Sequence, residues 1–348
     1  MTIAAIARAA FVPALSAVEA GRIPGATLGV VTAGGHRHVE TSGLAQRIPT
    51  PEPLTRGHWF DLASLTKVIA TAPTILRLAD AGALDLDRPI ADVIPDLRQY
   101  DPAGAAERRI TVRECLMHDT HLPAVEPIYT YGDDPWRLRH FVLQREWRAG
   151  PPVYSDINYI LLSIAIERLT GGTMAELPMP PGLGWASDAA ISVATEYCQW
   201  RRRILKGEVH DENAFALGGA AGHAGLFGTV DGVLDFAQAL LDGSGASTAA
   251  LGAMRSANAR GRSCGWEVRI PGWPGGDACS SATIGHTGFT GTGLWLDFDR
   301  GIGWTLLTNR VHPTRHFDSG IFALRPATGD ALIAAWDAAT ARSDRRGG

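Results

Sequence analysis

Strand-like stretches lie at both ends of this chain, with helix-like stretches between them, and that distribution narrows the folds open to it. Residues 26–31, a Gly34-Gly35 turn and residues 36–40 read as strand, turn, strand. Near the other end, 265–270, 292–298 and 302–309 have the same character. The middle is mostly helical in pattern: 111–117, 136–144, 158–169 and 194–205, separated by proline- and glycine-rich spacers. Thr229 is placed to cap a helix running through Leu241, and a last helix is expected over 330–341. The economical solution is an α/β (α+β) fold. One central, mainly antiparallel sheet draws strands from both termini, terminal helices flank it, and a mainly helical lobe is inserted. At 348 residues the chain is long enough for about two lobes. The expected division is 1–63 with 216–348 for the sheet and 64–215 for the helices, with the active site between them.

Composition removes several classes of function. Apolar residues at 45% and charged residues at 20% suit an ordinary globular protein. No apolar run reaches the ~18 residues of a membrane span. A net charge of −4 gives no electrostatic reason to expect nucleic acid or an anionic membrane as partner. The alanine-rich N-terminus is interrupted by Arg8 and has no charged leader. It reads as an amphipathic helix rather than a signal peptide, and the cytoplasm is the expected location. Cys115, Cys198, Cys264 and Cys279 form no C-x-x-C pair, so idle buried thiols are expected.

Chemistry concentrates in three places. The first is Ser64-Leu65-Thr66-Lys67, directly after Phe60-Asp61-Leu62-Ala63. On a helix extending toward Gly82, bent by Pro73, Ser64 and Lys67 share a face with Cβ atoms roughly 5–6 Å apart. The amine can then take the hydroxyl proton and make serine a nucleophile. At the N-terminal end of that helix the Ser64 N–H is free to meet a developing oxyanion. The second place is Tyr154-Ser155-Asp156, kept out of a helix by Pro151-Pro152 and set before the next one. It could be a plain helix cap, or it could bring a phenol to Ser64 and Lys67, where cations would lower its pKa from about 10. The third is His286-Thr287-Gly288-Phe289, where glycine permits close backbone approach. A substrate amide could pair along this edge, with the Phe289 N–H as second oxyanion donor.

The order and spacing of the three motifs resemble the serine β-lactamase and penicillin-binding-protein superfamily, in particular its class C-like serine hydrolases. The resemblance covers most of the chain and includes Ile110-Thr111-Val112-Arg113-Glu114-Cys115-Leu116-Met117-His118. A further block, Gly207 to Ala214 followed by Leu217 to Phe227, is similar to D-alanyl-D-alanine carboxypeptidase and muropeptide amidase members. The resemblance implies Ser64, Lys67 and Tyr154 as catalytic, and Asp156, His286, Thr287, Gly288 and Phe289 as substrate-binding or orienting. It places His210, Asp211, Asn213 and His223 at the site rim. There, hydrogen bonds that organise the loop are expected rather than a metal, and His36 and His38 belong to a hairpin. No cofactor is implied, and the partner is a small-molecule or peptide-like substrate.

Three departures bear on substrate. Asp156 stands where penicillin-recognising members carry Asn, which favours a protonated Lys67 and opposes an ionised Tyr154. His286 replaces Lys, so a permanent cation for a substrate carboxylate becomes a titratable one. His118-Asp119-Thr120-His121-Leu122-Pro123 replaces His-Thr-Ser-Gly-Leu-Pro. The expected function is hydrolysis through an acyl-enzyme at amide bonds of peptide-like, cell-wall-derived substrates. A carboxylesterase, or a non-catalytic relative that binds fragments, is the alternative. Gly261-Arg262-Ser263-Cys264-Gly265 matches G-x-S-x-G, but lacks the strand before it and the helix after it that such an elbow requires.

Overall fold

The computed structural model describes residues 2–347. In chain order it begins with α1 (Ile3–Glu19), β1 (Gly25–Thr32), β2 (Arg37–Gln46), β3 (Glu52–Pro53) and β4 (Phe60–Asp61). A π-helical turn, Lys67–Thr71, leads into α2 (Ala72–Asp80). Then come α3 (Val112–Leu116), α4 (Pro135–Gln144), α5 (Asp156–Thr170) and β5 (Leu183–Gly184). The paired β6 (Ala194–Cys198) and β7 (Arg203–Lys206) precede α6 (Glu212–Ala216), β8 (Phe227–Gly228), α7 (Val230–Leu241) and α8 (Thr248–Arg255). The chain ends in β9 (Glu267–Val268), β10 (Thr283–Thr287), β11 (Gly293–Asp297), β12 (Ile302–Thr308) and α9 (Ile321–Gly347).

The main sheet has seven strands in the order β3-β2-β1-β12-β11-β10-β9, all neighbours antiparallel. It is built from both termini, as the pattern predicts. Ala26 pairs with Thr308 and Thr32 with Ile302. Side chains alternate between faces with the strand period of two. Leu28, Val30, Trp295, Trp304 and Leu306 pack against α1 and α9. Val31, Ile284, Leu294, Leu296 and Leu307 join the larger core that includes Leu65, Val68, Ile75, Val233 and Leu234. His286 lies two residues from Ile284 in β10, so it shares the face on which Lys67 and its turn are buried.

Two expectations are corrected. Residues 194–205 form a hairpin, not a helix, with Arg202 at φ 55 in its turn. Glu196 in β6 is buried because it answers the distant Arg315 and His210, a contact invisible to local pattern. The final helix begins at Ile321, before the expected 330. The other helices of the middle region, and α7 capped by Thr229 onto the Gly232 N–H, lie where the pattern puts them. Among the described residues no helix is long and apolar enough to cross a membrane.

Candidate active site

Ser64 stands in a tight turn between β4 and the π-helical turn. Three successive i→i−3 bonds, Leu65 N to Leu62 O, Thr66 N to Ala63 O and Lys67 N to Ser64 O, wind its first coil. Ala63 has φ +48, a left-handed conformation that costs a non-glycine residue about 1–2 kcal/mol. Asp61 holds it: its carboxylate accepts the Ala63 N–H at 2.8 Å and the His210 N–H at 2.6 Å. Burial pushes the Asp61 carboxyl upward, and the His210 N–H works against that.

Lys67 is fully buried, and its Nζ donates to Ser64 Oγ at 2.9 Å and to the His223 carbonyl at 3.0 Å. Asp156, the first residue of α5, places Oδ1 2.8 Å from the same nitrogen. Burial alone would lower the Lys67 pKa. Asp156, and then Tyr154, outweigh it and hold the ammonium above the usual lysine range.

Tyr154 reverses an expectation. Burial raises its phenol above the usual range and Asp156 adds to that, outweighing the pull of Lys67 and of the hydrogen bonds to Lys67 and Ser64. The hydroxyl therefore keeps its proton at neutral pH. Its ring packs at a tilt against His118, 4.3 Å between centroids, and the Lys67 Nζ lies 5.0 Å from its centre. His118 Nδ1 accepts the Ser155 N–H at 3.0 Å, so its proton is on Nε2. The Ser155 hydroxyl is spent on the Pro123 carbonyl and caps nothing.

His286 presents a neutral imidazole. Nδ1 donates to the Thr287 carbonyl at 3.0 Å, which leaves the lone pair on Nε2, without a partner among the described residues. Burial, with Lys67 and Arg262 close by, keeps its pKa well below the ordinary histidine value. The turn after it is tied to the segment that leads into Ser64: Thr290 Oγ1 donates to Asp61 O at 2.8 Å and Thr292 Oγ1 to Leu62 O at 3.0 Å. Gly288 has no room for a side chain. A Cβ there would lie 2.1 Å from Thr292 Oγ1 and 2.6 Å from Leu62 O.

These groups line one cleft of about 500 Å³, with Ser64, Tyr154, Asp156, His286, Thr287, Gly288 and Phe289 on its walls. His210 and Asp211 also face it. The His210 ring is engaged with Glu196 at 2.9 Å and stacks on Phe289. Asp211 caps α6 through the Ala214 N–H and pairs with His223 Nε2 at 2.9 Å. Burial tends to raise the Asp211 carboxyl, but His223 holds it well below the usual range. Asn213 is turned elsewhere, accepting the Tyr129 N–H and donating to Glu126 O. His38 pairs with Glu40 on β2. Ser263 is buried, with its hydroxyl on the Met254 carbonyl.

The sequence motifs did not point to Asp61, Arg262, Arg310 or Arg325. Arg262 lies 5.2 Å over the Tyr154 ring and pairs with Glu267. Asp61 adjoins the Ser64 motif and could have been noticed for that; the two distal arginines carried no local signal.

A family model described as Beta-lactamase matches residues 11–327. The chain is 29% identical over 350 residues to an N-acetylmuramyl-L-alanine amidase of Bacillus subtilis (strain 168), covering 84% of this chain and 78% of that protein. Among solved structures, a beta-lactamase from Sulfitobacter sp. EE-36 superposes with a TM-score of 0.74 at 22% identity, covering 97% and 98% of the two chains. EstCE1, a hydrolase with promiscuous acyltransferase activity, superposes at 0.72 and 18% identity, covering 94% and 98%.

Proposed function

The chain belongs to the beta-lactamase family, and on that premise we propose that it hydrolyses amide bonds of small peptide-like, cell-wall-derived substrates through an acyl-serine intermediate. The observation that carries the reading is the Lys67 Nζ at 2.9 Å from Ser64 Oγ, at the wall of an open cleft. Ser64 Oγ attacks the carbonyl carbon while its proton passes to Lys67 in its amine form. The N–H groups of Ser64 and Phe289 hold the oxyanion. The neutral Tyr154 hydroxyl gives its proton to the leaving nitrogen and recovers one from Lys67. Water then releases the acyl group by the reverse order of transfers. Similarity to a protein named as an amidase supports an amide substrate. The neutral His286 argues against recognition that depends on a permanent cation at that position.

The test is intact-mass spectrometry after a fluorophosphonate probe, together with turnover of muropeptides, D-amino-acid peptides and p-nitrophenyl esters. One adduct on Ser64, absent in Ser64→Ala, with amide turnover is expected. Ester turnover without amide turnover would assign a carboxylesterase instead. A folded protein that takes no adduct would be a fragment-binding relative without catalysis.

A further inference from the structure

Four arginines line the cleft, and three have evident duties. Arg262 pairs with Glu267, Arg315 bridges Glu196 and Glu212, and Arg310 donates from the rim to the Phe289 carbonyl at 2.9 Å. Arg325, in the second turn of α9, differs from all of them. It is only 5% exposed and forms no ion pair among the described residues. Its Nη2 donates to the Gly288 carbonyl at 2.6 Å and to the Thr292 carbonyl at 2.8 Å.

The Gly288 carbonyl and the Phe289 N–H are the two ends of one planar trans peptide unit. Whatever grips the oxygen also sets the plane, and so the direction in which the N–H points. From these contacts we infer that Arg325 is a positioning residue that aims and polarises the Phe289 N–H toward the substrate oxyanion. This rests on the acyl-serine reading above and adds a residue to it.

Two physical effects act together. A hydrogen bond from a cation to a carbonyl is shorter and stronger than a neutral one. Withdrawing charge from that oxygen makes the amide N–H at the other end a better donor, and a low-dielectric setting enlarges the effect. Burial brings the Arg325 pKa down to about 9, which leaves it charged at neutral pH. A purely structural role is already filled. The 288–292 turn is closed by Gly288 N to Thr292 O at 2.9 Å and pinned to 61–62 by the Thr290 and Thr292 hydroxyls. What Arg325 alone supplies is a positive charge on the far end of the oxyanion donor's own peptide.

The experiment uses p-nitrophenyl acetate, with the acetyl carbonyl labelled with ¹³C, on the wild type and on Arg325→Met and Arg325→Gln. Acylation rate and substrate dissociation constant, both from single-turnover kinetics, and the infrared stretch of the labelled acyl-enzyme carbonyl are measured. Arg325→Met is expected to slow acylation about ten- to a hundredfold with the dissociation constant nearly unchanged. The carbonyl stretch should move to higher frequency, because a weaker donor polarises it less. Arg325→Gln keeps a hydrogen-bond donor and loses the charge, so it should show the same shift in a folded protein even if Arg325→Met does not fold. A wild-type stretch and wild-type acylation rate in Arg325→Gln would overturn the inference alone. Failure of the wild type to carry acetyl on Ser64 would remove the acyl-serine reading and this inference with it.

Discussion

Asp156 sets the charge on Lys67. The ammonium is fully buried, and without the carboxylate 2.8 Å away burial would dominate and bring its pKa down. If Lys67 must enter the reaction as the amine, activity rises with pH toward its raised value. Asp156→Asn should then move the rising limb of the pH–rate profile to lower pH. A limb that stays in place would show that Lys67 is not the base. The same shift is linked to stability: because the folded-state value is raised, the pair favours the folded protein below the ordinary lysine value. That contribution is lost as pH climbs through the raised one. Ser64, Lys67, Tyr154, Asp156 and His286 were legible because each belongs to a motif. His118 in its holding role and Arg325 were not, because they act through backbone groups brought close only by folding, and the same is true of the Asp61 contact with the His210 N–H. The direction of the Tyr154 shift was also out of reach, since burial is a property of the packed molecule.

At the scale of elements, α3 shows how a helix end delivers a side chain. The Asp119 N–H reaches back to Glu114 O at 2.8 Å and the His118 N–H to Cys115 O at 3.3 Å, closing the helix on a left-handed residue. That residue is His118, at φ +51, where glycine is the usual occupant. The left-handed turn throws the imidazole between Tyr154 and Tyr159, with ring centroids 4.3 and 5.0 Å away. Any replacement loses the acceptor for the Ser155 N–H, yet glycine relieves the backbone. His118→Gly should therefore be about 1 kcal/mol more stable than His118→Ala in urea unfolding, with both slow in acylation. Equal stabilities would contradict this account of the helix end. The cap of α7 by Thr229 was read from the sequence; the Thr111 and Glu114 capping box at the other end of α3 is an equally local signal that the structure brings out. The β6–β7 hairpin was missed because its turn uses Arg202 rather than glycine and its buried Glu196 answers a partner far along the chain.

For the whole molecule, buried neutral histidines set an acid limit. His312 accepts the Arg47 N–H at 2.9 Å on Nε2 and donates from Nδ1 to Thr195 O, and burial lowers its pKa to about 4. His118 and His286 are also held well below the ordinary value, by burial first and Lys67 next. The unfolded chain protonates these rings near pH 6.5 while the folded one does not. Stability is therefore full above about 6.5 and declines as pH falls toward about 4, by up to about 1.4 kcal/mol per pH unit for each ring. The urea midpoint should drop measurably between pH 7.5 and pH 5, and less so in His312→Asn. A midpoint independent of pH over that range would refute the assignment.

The pairing of β1 with β12 also orders events during synthesis. Gly25 gives its N–H to the Asn309 side chain, 284 residues later. At about 5–20 residues per second, the first strand waits roughly fifteen seconds to a minute for its neighbour to leave the ribosome. Until then β1 has an open edge, and Arg325, which grips the Gly288 and Thr292 carbonyls at the cleft, has not yet been made. A product that stops short of residue 302 holds the serine and the lysine, but it lacks the strand that joins one half of the sheet to the other.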